Sequence, residues 1–473
     1  MSKNNLLATV DLGSNSFRLL IATIDENFIL KPLDQIKETV RLAAGLDQYN
    51  NLNSEAQQIA LATLARFHER LLGFADNQVR VVATSAFRIA RNADEFIEKA
   101  NKVLGFKIEI ISGIEEARLI YIGAMHSLSL RNKKTLLIDI GGGSTEFVVG
   151  TNFSPIIMES VTIGCVSTSL KNFTNGVLNQ ANFDNAILSS RGKIQAMEHL
   201  FANQDFDIAV GTSGTAEALY TLCLEYKLSD EITLLSLYQI KNILIEYKNI
   251  NNLILSGMKQ DRASVIAGGL SIMIAIFEEL KIDRMIIASG ALREGVMYDL
   301  LGRYSDNDLR LNTVLGLQKQ YVIDIEQGHR LANTSTLIYQ SLNNQHASSL
   351  HESNELKLLH WAAQLYEIGL SISHNDYHKH GAYILANSDM VGFSKPEQAL
   401  LANLVRSHRG SVLKILSYLE KKNIIKPDIL HMIIAIRLSA IFHRNRKDID
   451  NLTIKIINID AFNFNLLIWL TTL

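Results

Sequence analysis

Two runs of the chain gather the residue types that grip phosphate. In Val10-Asp11-Leu12-Gly13-Ser14-Asn15-Ser16 an apolar stretch meets an aspartate, then glycine and small polar residues, and 128 positions later Ile138-Asp139-Ile140-Gly141-Gly142-Gly143-Ser144-Thr145 repeats the pattern. A second apolar stretch departs at once in both, so each reads as a β-hairpin with a polar tip. Glycine lacks Cβ, which lets tip amides approach an anion closely, and serine and threonine hydroxyls add donors. An ionised aspartate at the strand end only accepts, and it can hold Mg²⁺ directly or through water. One copy alone reads as readily as a tight turn. Two copies with the same grammar point to paired phosphate cradles.

The elements around these tips alternate. Short β-branched runs (79–84, 106–111, 136–140, 147–149, 208–210 and 285–288) are separated by helical periodicity, the mark of α/β architecture. One amphipathic helix is expected from Ser54, with Gln57 completing a capping box, Ile59, Leu61, Leu64, Phe67 and Leu71 following, and Gly73 ending it. After residue 305 strand-like runs vanish and helical periodicity dominates to about Arg446, as in 356–365 and 400–405. The stretch 452–473 alternates briefly and reads as a short remnant of a β-rich module. The expected domains are therefore 1–125 and 126–304, both α/β, then an all-α domain over 305–446 and a C-terminal piece over 447–473.

Composition sets the limits. With 473 residues, 47% hydrophobic and 20% charged, the chain has apolar surface for several cores. Lys plus Arg at 46 against Asp plus Glu at 48 gives no global positive field, so nucleic acid is not an expected partner and any anion site must be built locally. Two cysteines, Cys165 and Cys223, make neither a disulfide framework nor a zinc cage. The longest largely apolar uncharged run, 263–277, has 15 residues against the ~20 that span a bilayer. The start shows no secretory pattern, so a cytoplasmic location is expected.

Neither glycine loop is a Walker motif, because no Gly-Lys-Thr or Gly-Lys-Ser follows, and no Rossmann Gly-x-Gly-x-x-Gly opens a helix. The α/β option with duplicated aspartate hairpins is the phosphotransferase fold of actin, sugar kinases and chaperone ATPases (ribonuclease H-like, or ASKHA). Gly211-Thr212-Ser213-Gly214-Thr215 supplies the third small-residue loop expected there.

Four separated motifs carry a more specific likeness. Asp11 to Ser16, Ser112-Gly113-Ile114-Glu115-Glu116-Ala117-Arg118, Asp139 to Glu146, and Gly290-Ala291-Leu292-Arg293-Glu294-Gly295 together resemble the Ppx/GppA phosphatases, exopolyphosphatases and guanosine pentaphosphate phosphohydrolases. The resemblance implies Mg²⁺-assisted attack of water on a terminal phosphoanhydride. It makes Glu116 the catalytic carboxylate, and Asp139, helped by Glu146, the metal holder. It assigns phosphate binding to Asp11, Gly13, Ser14, Asn15, Ser16, Arg88, Asn92, Gly141, Gly142, Gly143, Ser144, Thr145, Gly214 and Arg262, with Arg293 also near the cleft. Arg88 and Asn92 fall in 84–92, which follows a strand and is read as the start of a helix. Glu115 points about 100° away from Glu116 on a helix and is the weaker candidate.

The helical domain resembles an HD-type phosphohydrolase domain in outline, but Tyr366-Glu367 stands where a His-Asp pair would share a metal. A second hydrolytic centre is therefore not expected, and His378, His380 and His408 are read as structural or anion-facing. Lys379, His380, Arg406, His408 and Arg409 could instead line a basic passage for a long polyanion. Within the family the runs 152–157, 164–167 and 382–389 favour an exopolyphosphatase, a cytoplasmic enzyme of phosphate metabolism acting on inorganic polyphosphate. The alternative is hydrolysis of guanosine pentaphosphate (pppGpp) to the tetraphosphate of the stringent response. An ATP-dependent kinase and a slow nucleotide switch are rivals from the same fold. A homodimer is implied by the resemblance alone, and peripheral membrane association stays open.

Overall fold

A computed structural model describes residues 6–24, 30–128, 130, 132–201, 205–255, 257–258, 262–303, 308–343, 354–388, 390, 392–421, 426–449, 452–460 and 463–470, the last two by backbone alone. The domain boundary expected at 304/305, and Asp389 of the 382–389 run, lie outside these residues. Contacts divide the chain into two units, Met1–Gly302 and Arg303–Leu473.

The first unit holds two sheets. One opens with the hairpin β1 (Leu6–Leu12) and β2 (Ser16–Ile24), continues to β3 (Leu30–Thr39), and after α1 (Ser54–Leu71) adds β4 (Val79–Ala83). The short α2 (Ser85–Ile89) and α3 (Ala93–Leu104) then lead to β5 (Ile108–Ile110) and α4 (Gly113–His126). The second sheet repeats the plan with β6 (Lys134–Ile140), β7 (Thr145–Thr151), β8 (Ser154–Val161), α5 (Cys165–Asn172), α6 (Gln180–Phe201), β9 (Ile208–Thr212) and α7 (Ser213–Glu225). It ends in β10 (Ile232–Thr233), α8 (Leu234–Glu246), α9 (Ala263–Glu279), β11 (Arg284–Ile287) and α10 (Leu292–Arg303). The orders are β3-β2-β1-β4-β5 and β10-β11-β9-β6-β7-β8. In both sheets an antiparallel hairpin lies beside parallel strands, so the repeated sequence motif is a repeated sheet with one added edge strand.

Helix α1 shows how local chemistry sets a boundary. Asn53, not Ser54, is the N-cap: its side chain accepts from the Ala56 amide, while the Gln57 amide group donates to the Leu52 carbonyl rather than closing a capping box. Leu64, Phe67 and Leu71 are buried as expected, whereas Ile59 is exposed. The apolar run 263–277 becomes α9, buried in the core of the second sheet at every position but Ser264, as a helix without a polar face must be in water. Among the described residues no helix is long and apolar enough to cross a membrane.

The second unit is helical, with α11 (Leu309–Gln320), α12 (Ile325–Leu342), α13 (Asn354–Gln364), α14 (Tyr377–Asn387), α15 (Lys395–Ser407), α16 (Val412–Lys421) and α17 (Pro427–Phe442) around their own core. The C-terminal alternation forms an antiparallel hairpin, β12 (Leu452–Asp460) with β13 (Asn463–Leu470).

Because α9 has no solvent face on which a cavity could relax, Leu270→Ala should lower stability by ~2–5 kcal/mol, seen as a lower urea midpoint with an unchanged slope.

Candidate active site

The two hairpin tips meet. A Cβ on Gly142 would lie 3.1 Å from Ser14 Cβ and 3.6 Å from the Asn15 amide nitrogen, so one tip rests on the other. Each is fixed from behind: the Ser14 and Asn15 carbonyls accept from the amides of Val40, Arg41 and Ala43, and the Gly141 and Gly142 carbonyls from those of Cys165, Val166 and Ser167. Ser14 Oγ also accepts from the Ala86 amide.

Between the tips is a cavity of about 100 Å³. It is lined by Asp11, Gly13, Ser14, Asn15, Ser16, Glu116, Asp139, Gly141, Gly142, Ser144, Glu146, Gly214 and Arg262, thirteen residues singled out from the sequence. Four others are not on its wall. Both amide atoms of Asn92 are used on the Leu52 backbone, because the expected single helix breaks into α2 and α3 at Ala90–Asn92. Arg88 reaches the site only through Glu116, donating from NH1 to Oε2 at 2.7 Å and to the Ile111 carbonyl at 3.1 Å. Thr145 is fully buried and donates to the Ile163 carbonyl. Gly143 is a spacer, where a Cβ would come within 2.8 Å of Ser85 Oγ.

The structure adds Arg18 and Ser213 to the wall and places Arg293, expected near the cleft, there as well. Arg18 pairs across its hairpin with Asp11, as Glu146 pairs across the other with Asp139. Arg18 stands seven positions beyond its aspartate, as Glu146, assigned by the family likeness, does beyond Asp139. Ser213 takes a left-handed backbone (φ 62°) at the first position of α7, and its hydroxyl donates to Asp139 Oδ2 at 2.6 Å. Arg293 opens α10, in a segment tied to both sheets by Thr9 Oγ1 on the Arg293 carbonyl and Thr212 Oγ1 on the Gly290 carbonyl. Gly214 is required by contact: a Cβ there would sit 1.7 Å from an Arg262 guanidinium nitrogen.

The electrostatics are those of acids short of a cation. Burial, reinforced by Glu116, raises Asp11 to about 6 and Asp139 to about 7, the latter against the Ser213 hydrogen bond, and pushes Glu146 well above the carboxylate range. Asp11 Oδ1 and Asp139 Oδ1 are buried without a hydrogen-bond partner, while Glu146 Oε1 accepts from Ser160. Among the described residues no three His, Cys, Asp or Glu side chains form a ready-made metal cage. Orphaned hard oxygens without such a cage suit a divalent ion held by one or two carboxylates, water and a substrate phosphate, which is how Mg²⁺ is usually bound. Glu116, in the first turn of α4, keeps Oε1 without a protein partner among the described residues.

In the helical unit, Tyr366 and Glu367 are buried, but Glu367 is bound by Arg446 at 2.7 Å, whose other nitrogen reaches Asp324. An arginine thus sits on the carboxylate that an HD-type metal would need. His408 is not part of a charged passage: it is buried, bonded to the Val405 carbonyl and the Tyr377 hydroxyl, and desolvation lowers it to about 3. Lys379 is paired with Asp376, and Arg406 and Arg409 lie over the rings of Tyr418 and Tyr377.

The profile of the Ppx/GppA phosphatase family matches residues 20–304, and that of Ppx/GppA phosphatase domain III matches residues 309–468. The chain is 39% identical over 446 residues, 94% of its length and 88% of the relative's, to a guanosine-5'-triphosphate,3'-diphosphate pyrophosphatase of Pseudoalteromonas translucida. Among solved structures, an exopolyphosphatase of Cytophaga hutchinsonii superposes with a TM-score of 0.57 at 23% identity, over 63% of this chain and 97% of that one. The Ppx/GppA enzyme of Aquifex aeolicus gives 0.52 at 25% identity, over 62% and 98%. The chain belongs to the Ppx/GppA phosphatase family, with duplicated actin-like domains and a helical third domain, and it is a hydrolase.

Gly214→Ala must displace the Arg262 guanidinium, and ångström-scale misplacement of a positioning group costs ~10²-fold in rate. Phosphate release per enzyme should fall by about that factor while circular dichroism and melting temperature stay close to those of the parent.

Proposed function

We propose that the chain is an exopolyphosphatase that uses Mg²⁺ and water to remove the terminal phosphate of inorganic polyphosphate. The observation that carries it is the meeting of the two tips over one cavity, with Glu116 and Asp139 on its wall. The tips and Arg262 seat the phosphate oxygens. Arg18 and Arg293 oppose the charge of the next phosphates, since both also line an adjoining cavity of about 330 Å³. Glu116, held by Arg88 on one oxygen, takes the proton of water through the other as that water's oxygen bonds to phosphorus and the bridging oxygen leaves with the shortened chain. Asp139, with Glu146 as helper, would hold Mg²⁺, which when bound neutralises charge on the transferring phosphate.

A second reading is hydrolysis of the 5' end of pppGpp. The Pseudoalteromonas translucida relative favours it, and the adjoining cavity offers Ile36, Ala218 and Met258 beside its basic groups, apolar area that a bare phosphate chain does not need. Both substrates present the same tail to the same carboxylate.

Glu116→Gln keeps size but removes the base, so phosphate release should fall by ~10² or more with substrate affinity retained; unchanged turnover would remove Glu116 from the role. Comparing phosphate release from long polyphosphate and from pppGpp, each with Mg²⁺, should show polyphosphate turned over at the higher kcat/KM. The reverse order would make pppGpp the substrate.

A further inference from the structure

The glycines of Gly290-Ala291-Leu292-Arg293-Glu294-Gly295 have no part in the chemistry, yet little else could occupy their places. A Cβ on Gly295 would lie 1.7 Å from the Leu119 carbonyl oxygen, one on Gly290 2.1 Å from that of Gly123, and one on Gly123 2.0 Å from that of Ala291. The α10 segment and α4 therefore touch backbone to backbone. Glu116 stands in the first turn of α4 and Arg293 in the first turn of α10, both on the cavity wall, so this crossing sets the distance between them.

Glycine contacts fix separation but offer no side-chain knob to resist sliding or rotation. That resistance comes from a buried ion cluster farther along the same helices. Asp299 of α10 accepts from Arg118 NH2 of α4 through Oδ1 and from Arg80 NH1 of β4 through Oδ2, both at 2.5 Å. Arg118 also grips Glu115 through Nε at 2.8 Å and NH2 at 2.7 Å. The side chains of Arg80, Arg118, Glu115 and Asp299 are at most 5% exposed. Buried ion clusters are poor sources of net stability, since apolar residues of the same volume often serve as well, but their directional bonds fix geometry.

We propose that Asp299 is a positioning residue for hydrolysis: by tying α10 to both α4 and β4 it holds Glu116 at a set distance and angle from the phosphate that Arg293 faces. It does not line the cavity and acts through Arg118 and the first turns of α4. The proposal rests on Glu116 as the base assigned above.

The test is a double-mutant cycle on the full chain, using long polyphosphate and pppGpp with Mg²⁺, well below the melting temperature of each variant. Asp299→Asn keeps the shape and removes the charge. It should lower kcat by 10-fold or more while KM changes less than 3-fold, and in a Glu116→Gln background it should produce almost no further loss, because a misplaced base and an absent one cost the same step. Unchanged kcat in folded Asp299→Asn, or the same fold-loss in both backgrounds, would overturn the proposal. If Asp299→Asn does not fold, Arg80→Lys, which keeps the charge and shortens one arm of the clamp, is judged by the same two criteria. Failure of the Glu116 assignment shows separately, as full turnover by Glu116→Gln alone.

Discussion

Confining several carboxylates to one small cavity is the constraint around which the first unit is built. Glu116, Asp139 and Glu146 are nearly inaccessible to water, with Asp11 beside them, and burial together with the Glu116 charge raises the cost of ionising Asp11, Asp139 and Glu146. Such a group holds its place only on stiff supports with positive charge at hand. The supports are two strand ends, a strand opposite one of them, and the first turn of a helix. The positive charge comes from arginines on other elements: Arg88, Arg18, Arg262 and Arg293. A flexible loop carrying any of these acids would let it turn to solvent and relieve the repulsion.

Close backbone approach is the means by which the two sheets share the site. Gly142 rests on Ser14, Gly164 on the Gly142 carbonyl, and Gly295 on the Leu119 carbonyl. At Gly164 and Gly295 a methyl group would run into backbone and force the walls apart, and phosphoryl transfer depends on in-line placement. In the helical unit Arg446 is paired with Glu367, and burial holds His408 below the usual imidazole range.

How much could be read in advance followed how local each signal was. The hairpins at Asp11 and Asp139, the third loop at Gly214 and the apolar α9 are stated by neighbouring residues, and the family likeness placed Glu116. Arg18 needed the strand register, because nothing beside it in the sequence says that it faces Asp11. Asn92 was misplaced because a three-residue break separates α2 from α3, and the broken end spends its amide on Leu52. The Asn53 cap and the Asp299 clamp were invisible for related reasons: the first turned on which of two adjacent polar residues bends back, the second on a contact spanning 181 positions.

The twin hairpins differ in one telling place. Opposite the aspartate, the first copy carries a guanidinium at Arg18 and the second a carboxylate at Glu146. A duplicated scaffold has thereby acquired polarity: one hairpin sets a guanidinium beside its aspartate, the other a second carboxylate. A phosphate tail entering this cleft therefore meets two unlike jaws, and the asymmetry belongs to the protein.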